Sequence, residues 1–65
     1  MERLLTIDEA GDVLSTGPRF VRRLIAERRI EFVRVGRHVR ISESVLARFV
    51  ESGRVPVMIE PSWRR

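Results

Sequence analysis

The chain has 65 residues, a net charge of +4, 13 basic residues that are all arginine, and no cysteine. A chain of this length predicts one small domain with little room for a catalytic cleft. Without cysteine there is no disulfide or thiol chemistry, and the single histidine, His38, has no companion for a metal site. No apolar run reaches the ~18 residues that span a bilayer, and no signal peptide is evident. We therefore expect a soluble, cytoplasmic protein with no cofactor, metal, membrane or small-molecule ligand.

The first predicted helix follows a short extended lead-in, Arg3–Leu5. Thr6 stands three residues before Glu9, which is the capping-box spacing that opens a helix. The helix is expected to end near residue 14 or 15. Its apolar residues recur at helical spacing: Ile7, Ala10, Val13 and Leu14.

A second helix is predicted directly after the turn residues 15–17. Pro18 suits the first helical position, where its missing N–H costs nothing, and the helix runs to about Arg28. One stripe is expected to be buried: Val21, Leu24 and Ile25. The other side carries Arg19, Phe20, Arg22, Arg23 and Ala26.

From residue 31 the apolar period changes from helical to alternating, which predicts a β-hairpin. Gly36 can supply the positive φ of a two-residue turn, with Arg37 at the tip. The strands contain four β-branched residues: Val33, Val35, Val39 and Ile41. Their basic residues are Arg34, His38 and Arg40.

A third helix is predicted over about residues 43–51, with Ser42 as its N-cap and Gly53 beyond its end. Its packing positions are Val45, Leu46, Phe49 and Val50. Helix, turn, helix, hairpin, helix is the order of a winged helix-turn-helix. We predict an α+β, mainly α, fold with three short helices and a two-stranded hairpin wing, over residues 1–53, followed by a tail of residues 54–65.

The charge is unevenly distributed. Residues 1–15 carry −3, residues 16–40 carry +6, and the remaining residues carry +1. A basic middle segment is typical of a protein that meets a polyanion with one face, although a solvated charged surface would look the same. Arginine can bond guanine or phosphate with two donors, and a GC-rich genome explains the preference over lysine equally well.

The second helix is the predicted reader of double-stranded DNA, because the major groove admits one helix with its first turns near the bases. The candidate contacts on it are Pro18, Arg19, Phe20, Arg22 and Arg23. Phe20 has two interpretations: contact with a thymine methyl, or packing onto the hairpin or third helix. The wing candidates for phosphate or minor-groove contact are Arg34, Arg37, His38 and Arg40, and the alternative for them is a solvated hairpin surface.

Three segments carry a family resemblance: LTIDEA at 5–10, FVRRLI at 20–25 and VRVGRHVRIS at 33–42. Together they resemble the excisionase family of MerR-like winged helix-turn-helix domains, over about residues 4–51. Members similar to this chain are recombination directionality factors of phages that infect high-GC actinobacteria such as mycobacteria. The chain departs from the pattern at Gly17, where such domains commonly have a serine whose hydroxyl can contact phosphate.

The resemblance implies an accessory architectural factor that binds attachment-site DNA cooperatively with neighbouring copies, bends it, and directs a phage tyrosine integrase toward excision. It would be located in the bacterial cytoplasm, on the nucleoid when bound. The alternatives are a small MerR-like transcriptional regulator and a protein-interaction module. An enzyme is disfavoured, since no nucleophile with a base, metal cluster or phosphate loop is evident. The tail, with Met58, Ile59 and Trp63, is either an interaction segment or a disordered terminus.

Overall fold

A computed structural model describes residues 1–57 of the chain. The elements are β1 (Leu4–Leu5), α1 (Ile7–Leu14), α2 (Pro18–Ala26), β2 (Val33–Val35), β3 (His38–Ser42) and α3 (Glu43–Ser52). The expected α+β class with three short helices is confirmed. Residues 58–65 lie outside the described part, and the two interpretations of the tail through Met58, Ile59 and Trp63 therefore stay predictions.

Both predicted side-chain caps are present. The Thr6 hydroxyl accepts a hydrogen bond from the Glu9 amide at 3.0 Å, and the Glu9 carboxylate accepts one from the Thr6 amide at 2.9 Å. The bond from the Thr6 amide, together with the nearby charge of Arg3, lowers the pKa of Glu9 below its ordinary value. At the start of α3 the Ser42 hydroxyl accepts from the Val45 amide at 3.3 Å. Each cap satisfies a helix-terminal amide that has no partner within its helix.

The extended lead-in is a true strand, so the sheet has three antiparallel strands in the order β1-β3-β2. Leu4 pairs with Ser42, and Leu5 pairs with Ile41. Just before β1, the Glu2 carboxylate accepts hydrogen bonds from the amide of Ser44 at 2.9 Å and from the hydroxyl of Ser44 at 3.0 Å. These bonds lower the pKa of Glu2. The first five residues are thereby attached to the junction of β3 and α3.

The core lies between the three helices and the inner face of the sheet. Its buried apolar residues are Leu5, Ala10, Val21, Leu24, Ile30, Ile41, Val45 and Leu46. Two residues expected to pack are instead outside it: Val13 is 61% exposed and Val50 is 47% exposed. Both have correct helical spacing, but they stand at the edge of their helices' apolar stripes. There they line an open groove that the rest of residues 1–57 leaves uncovered.

The end of α2 differs from the prediction, because the helix stops at Ala26 instead of continuing to about Arg28. Arg28 adopts a left-handed φ of 57°. Its amide donates to the Ile25 carbonyl at 3.1 Å, and the Arg29 amide donates to the Leu24 carbonyl at 2.9 Å. This is the Schellman arrangement, which usually has glycine at the left-handed position. The Arg28 guanidinium lies 5.4 Å from the centre of the Phe32 ring, a cation–π contact.

Candidate nucleic-acid interface

Two of the backbone hydrogen bonds that close the turn between α1 and α2 go to the Gly11 carbonyl. The amides of Thr16 and Gly17 donate to the Gly11 carbonyl at 3.0 and 3.2 Å. Ser15 takes the left-handed conformation, with a φ of 57°. A Cβ on Gly11 would lie 2.5 Å from the Gly17 carbonyl carbon and 2.8 Å from the Pro18 nitrogen. Glycine is therefore what allows α1 to pass this close to the turn and fixes where α2 begins.

The first turn of α2 has no side-chain cap. Gly17 is the N-cap residue with φ 93° and ψ 166°, and Pro18 is the first helical residue, as predicted. Proline has no N–H, so the first unpartnered amides of the helix belong to Arg19 and Phe20. With no side-chain acceptor at the cap, these amides and the positive end of the helix dipole are available to an anion.

The exposed side of α2 is a face of three arginines. Arg19, Arg22 and Arg23 are all exposed and are spaced by three and four residues, which places them side by side on one face of the helix. On the opposite side Val21 and Leu24 are fully buried. Phe20 is half-buried and packs against the core. The core contacts of α2 therefore turn its arginines outward, and we call this surface the α2 arginine face.

The wing is β2 and β3 joined by the two-residue turn Gly36–Arg37. Gly36 has a φ of 62°, while Arg37 has an ordinary negative φ, the pattern of a type II′ turn. Arg37 is thus at the tip, as predicted. Its exposure and position make it the basic residue farthest from the core along the hairpin.

The hairpin register distributes the other wing residues over two faces. Val33 pairs with Arg40 and Val35 pairs with His38, so these four side chains share the outer face. Arg34 pairs with Val39, on the face that continues into the buried Ile41. Arg40 is half-buried, and its guanidinium donates to the Val39 carbonyl at 2.8 Å. The predicted wing residues therefore lie on both faces of the hairpin, with His38 and Arg40 on one face and Arg34 on the other.

The ion pairs within residues 1–57 separate the arginines into two groups. The pairs are Arg3–Glu9, Arg29–Glu27, Arg48–Glu31 and Arg54–Glu51, with N–O distances of 2.8 to 3.9 Å. All six arginines of the α2 arginine face and the wing lie outside these pairs. Neither α2 nor the hairpin strands contain an acidic residue. The positive charge of both elements is consequently not neutralised within the described part of the chain, which favours attraction of a polyanion.

Arg28 is a further exposed basic residue, next to α2, that the sequence did not single out. It is exposed, directly follows α2, and makes no ion pair with the described residues. The sequence does place Arg28 in the basic segment of residues 16–40. Because the pattern predicts a helix that continues to about Arg28, it places the residue at the end of that helix. Its left-handed backbone redirects the chain after Ala26 and sets the guanidinium over Phe32.

Metal-ligand clusters and membrane-spanning helices are both absent from the described residues. Across positions 1–57, no group of three or more histidine, cysteine, aspartate or glutamate side chains is placed to hold a metal ion. No helix in that range is long and apolar enough to cross a membrane.

A tight helix-turn-helix with a hairpin after its second helix defines a class of small DNA-binding proteins. A family model described as a helix-turn-helix domain matches residues 4–54, and the chain belongs to this family. The match spans all six elements. Comparisons with curated proteins and with solved structures gave no significant match. The chain is a DNA-binding helix-turn-helix domain, of a family that is typically non-enzymatic.

Proposed function

We propose that the protein is an excisionase, an architectural factor that binds attachment-site DNA and directs a phage tyrosine integrase toward excision. The observation that carries the DNA-binding part is the separation of the arginines. Within residues 1–57 the arginines of α2 and the wing form no ion pair, whereas the ion pairs use arginines elsewhere. The excisionase part is supported by the resemblance through residues 33–42, and by the occurrence of this helix-turn-helix family in excisionase-like proteins.

In this proposal α2 enters the major groove. Arg19, Arg22 and Arg23 contact guanine edges or phosphates, since the arginine fork fits both. Pro18 lies at the start of the helix, where the free amides that follow it receive a phosphate. Phe20 packs against the core, which favours a role in orienting the helix over a contact with thymine.

The wing holds the flanking DNA. Arg37 at the tip reaches a phosphate or the minor groove. The DNA backbone is contacted from the two sides of the hairpin by Arg34, His38 and Arg40. The DNA-binding domain is then residues 1–53, and residues 54–65 form a tail. Several copies bind neighbouring sites and bend the DNA, so that the integrase arm sites come together in the bacterial cytoplasm.

A mobility-shift titration tests the assignment, with attachment DNA of the source phage beside promoter DNA and an unrelated fragment. Arg22→Ala and Arg23→Ala are expected to weaken specific binding by about 5- to 150-fold, because one arginine–guanine contact discriminates by about 1–3 kcal/mol. Arg37→Ala is expected to weaken specific and non-specific binding equally. Arg48→Ala is the matched control: it removes the same charge from α3, where Arg48 is 73% exposed and 3.9 Å from Glu31.

The same titration separates the excisionase from its main alternative. A ladder of cooperative shifts on attachment DNA, followed by stimulated excision with the purified integrase, supports the proposal. Binding confined to a promoter, with no effect on recombination, would instead identify a small transcriptional regulator. Equal losses for Arg22→Ala and Arg48→Ala would contradict the assignment of α2 as the reading element.

A further inference from the structure

An apolar groove of about 320 Å³ lies between α1, β1 and α3. Its lining residues are Leu5, Val13, Glu43, Leu46, Ala47, Val50 and Glu51. None of them belongs to α2 or to the wing, so the DNA-binding proposal does not use this surface. Val13 and Val50 were expected in the core, yet they remain 61% and 47% exposed here. The groove is therefore an apolar surface that the described residues leave uncovered.

The chain also leaves an apolar segment uncovered where it departs from α3. Val55 is 86% exposed and Val57 is 88% exposed. The next residues continue the apolar character through Met58 and Ile59 and then reach Trp63, the only tryptophan. Two unpartnered apolar surfaces in one small domain favour burial against each other, because burial removes both from water.

The root of this segment is already held at the rim of the groove. The Arg54 guanidinium makes two hydrogen bonds to the Glu51 carboxylate, at 2.8 and 3.1 Å. Glu51 lies at the end of the groove nearest the end of α3, and Glu43 lies at the opposite end, eight residues away along the helix. That separation corresponds to about 12 Å.

We propose that residues 58–65 of the same chain dock in this groove, running back along α3. Eight extended residues span up to about 26–29 Å, which is more than enough to return past the ~12 Å between the two glutamates. The order of residues along the tail matches the groove: Met58 and Ile59 meet the Val50 end, and Trp63 meets Leu46 and Val13. Arg64 and Arg65 then reach the carboxylate of Glu43, which has no ion pair within residues 1–57.

Docking within one chain is favoured over docking on a second copy by the tether. A segment whose root is already bound at the rim has an effective concentration in the millimolar range, far above that of free protein in solution. The proposal is independent of DNA binding, because the groove and the arginine-bearing elements share no residue.

Fluorescence of Trp63 in the full-length protein without DNA tests the proposal. We expect its emission at shorter wavelength than that of N-acetyltryptophanamide, and reduced quenching by acrylamide. Val50→Glu is expected to shift the emission to the value of the free amide. Val35→Glu is the matched control, because Val35 is 49% exposed but lies on the outer face of the wing. It should leave the emission unchanged.

A second variant, Ala47→Arg, places a large charged side chain in the apolar groove at an exposed position. It is expected to act like Val50→Glu. Circular dichroism verifies that each variant is folded. Emission equal to that of the free amide in the unmodified protein would overturn the proposal, as would protection that survives both groove variants. Protection that rises with protein concentration and accompanies dimer formation in sedimentation would also overturn it, in favour of a second copy as the occupant.

Discussion

Replacing Gly11 with alanine is expected to destabilise the whole domain. The added Cβ would lie 2.5 Å from the Gly17 carbonyl carbon, 2.7 Å from its oxygen and 2.8 Å from the Pro18 nitrogen. All three are backbone atoms, so no side-chain rotation can relieve the contacts. Overpacking of this kind costs up to about 3 kcal/mol, and the better helix propensity of alanine returns about 1 kcal/mol. The expected net loss is about 2 kcal/mol.

Thermal unfolding followed by far-ultraviolet circular dichroism measures this loss. A domain of this size loses about 4–8 °C in Tm per kcal/mol, so Gly11→Ala should lower Tm by about 8–16 °C. Gly53→Ala is the control, since a Cβ there meets nothing closer than 3.8 Å and the residue has an ordinary negative φ of −97°. That change should raise stability by about 0.4–1 kcal/mol.

An unchanged or raised Tm for Gly11→Ala would refute the reasoning, because it would mean that α1 and the turn can separate at little cost. The opposite signs expected for the two glycines make the test independent of any general effect of alanine on the unfolded chain.

Three further predictions concern caps, charge and salt. Ser15→Gly should raise the free energy of unfolding by about 1 kcal/mol in urea titrations, since Ser15 has a φ of 57°, whereas Arg28→Gly should gain less because it also loses the contact with Phe32. As pH falls from neutral to about 3, stability should decrease, because the hydrogen bonds from Ser44 hold the pKa of Glu2 below its ordinary value in the folded state and protonation weakens these bonds. Glu2→Gln should show a smaller decrease of the urea midpoint over that range, and an equal decrease would contradict this origin. In DNA titrations at several salt concentrations, Arg37→Ala should make the log–log slope less negative by about 0.9, and an unchanged slope would argue against a phosphate contact.

Local chemistry was predictable from the sequence wherever neighbouring residues decide the structure. The capping box at Thr6, proline at the start of α2 and the turn at Gly36 all depend on interactions within a few residues, and all three are present. The arginines of α2 were placed on an exposed face for the same reason, because helical spacing alone separates them from Val21 and Leu24.

Features that depend on pairing between distant residues were harder to predict from the sequence. A strand of two residues has too little periodicity to identify, and β1 exists only because β3 pairs with it. Alternation predicted the hairpin but did not assign its faces, which the register decides by pairing Val35 with His38. The early end of α2 was missed because arginine, at position 28, takes a backbone conformation that usually signals glycine.

The attachment of the first residues to α3 has a consequence for how the domain forms on the ribosome. Glu2 bonds to Ser44, 42 positions later, and β1 pairs with the strand that immediately precedes α3. A nascent chain that stops before β3 can form α1 and α2 only as a loose pair, without the sheet that covers their core face. Contacts between residues so far apart in sequence form late in folding. The chain loses the entropy of the closing loop before these contacts stabilise it. We therefore expect α2 to acquire its fixed orientation only after translation has passed the start of α3, in one cooperative step.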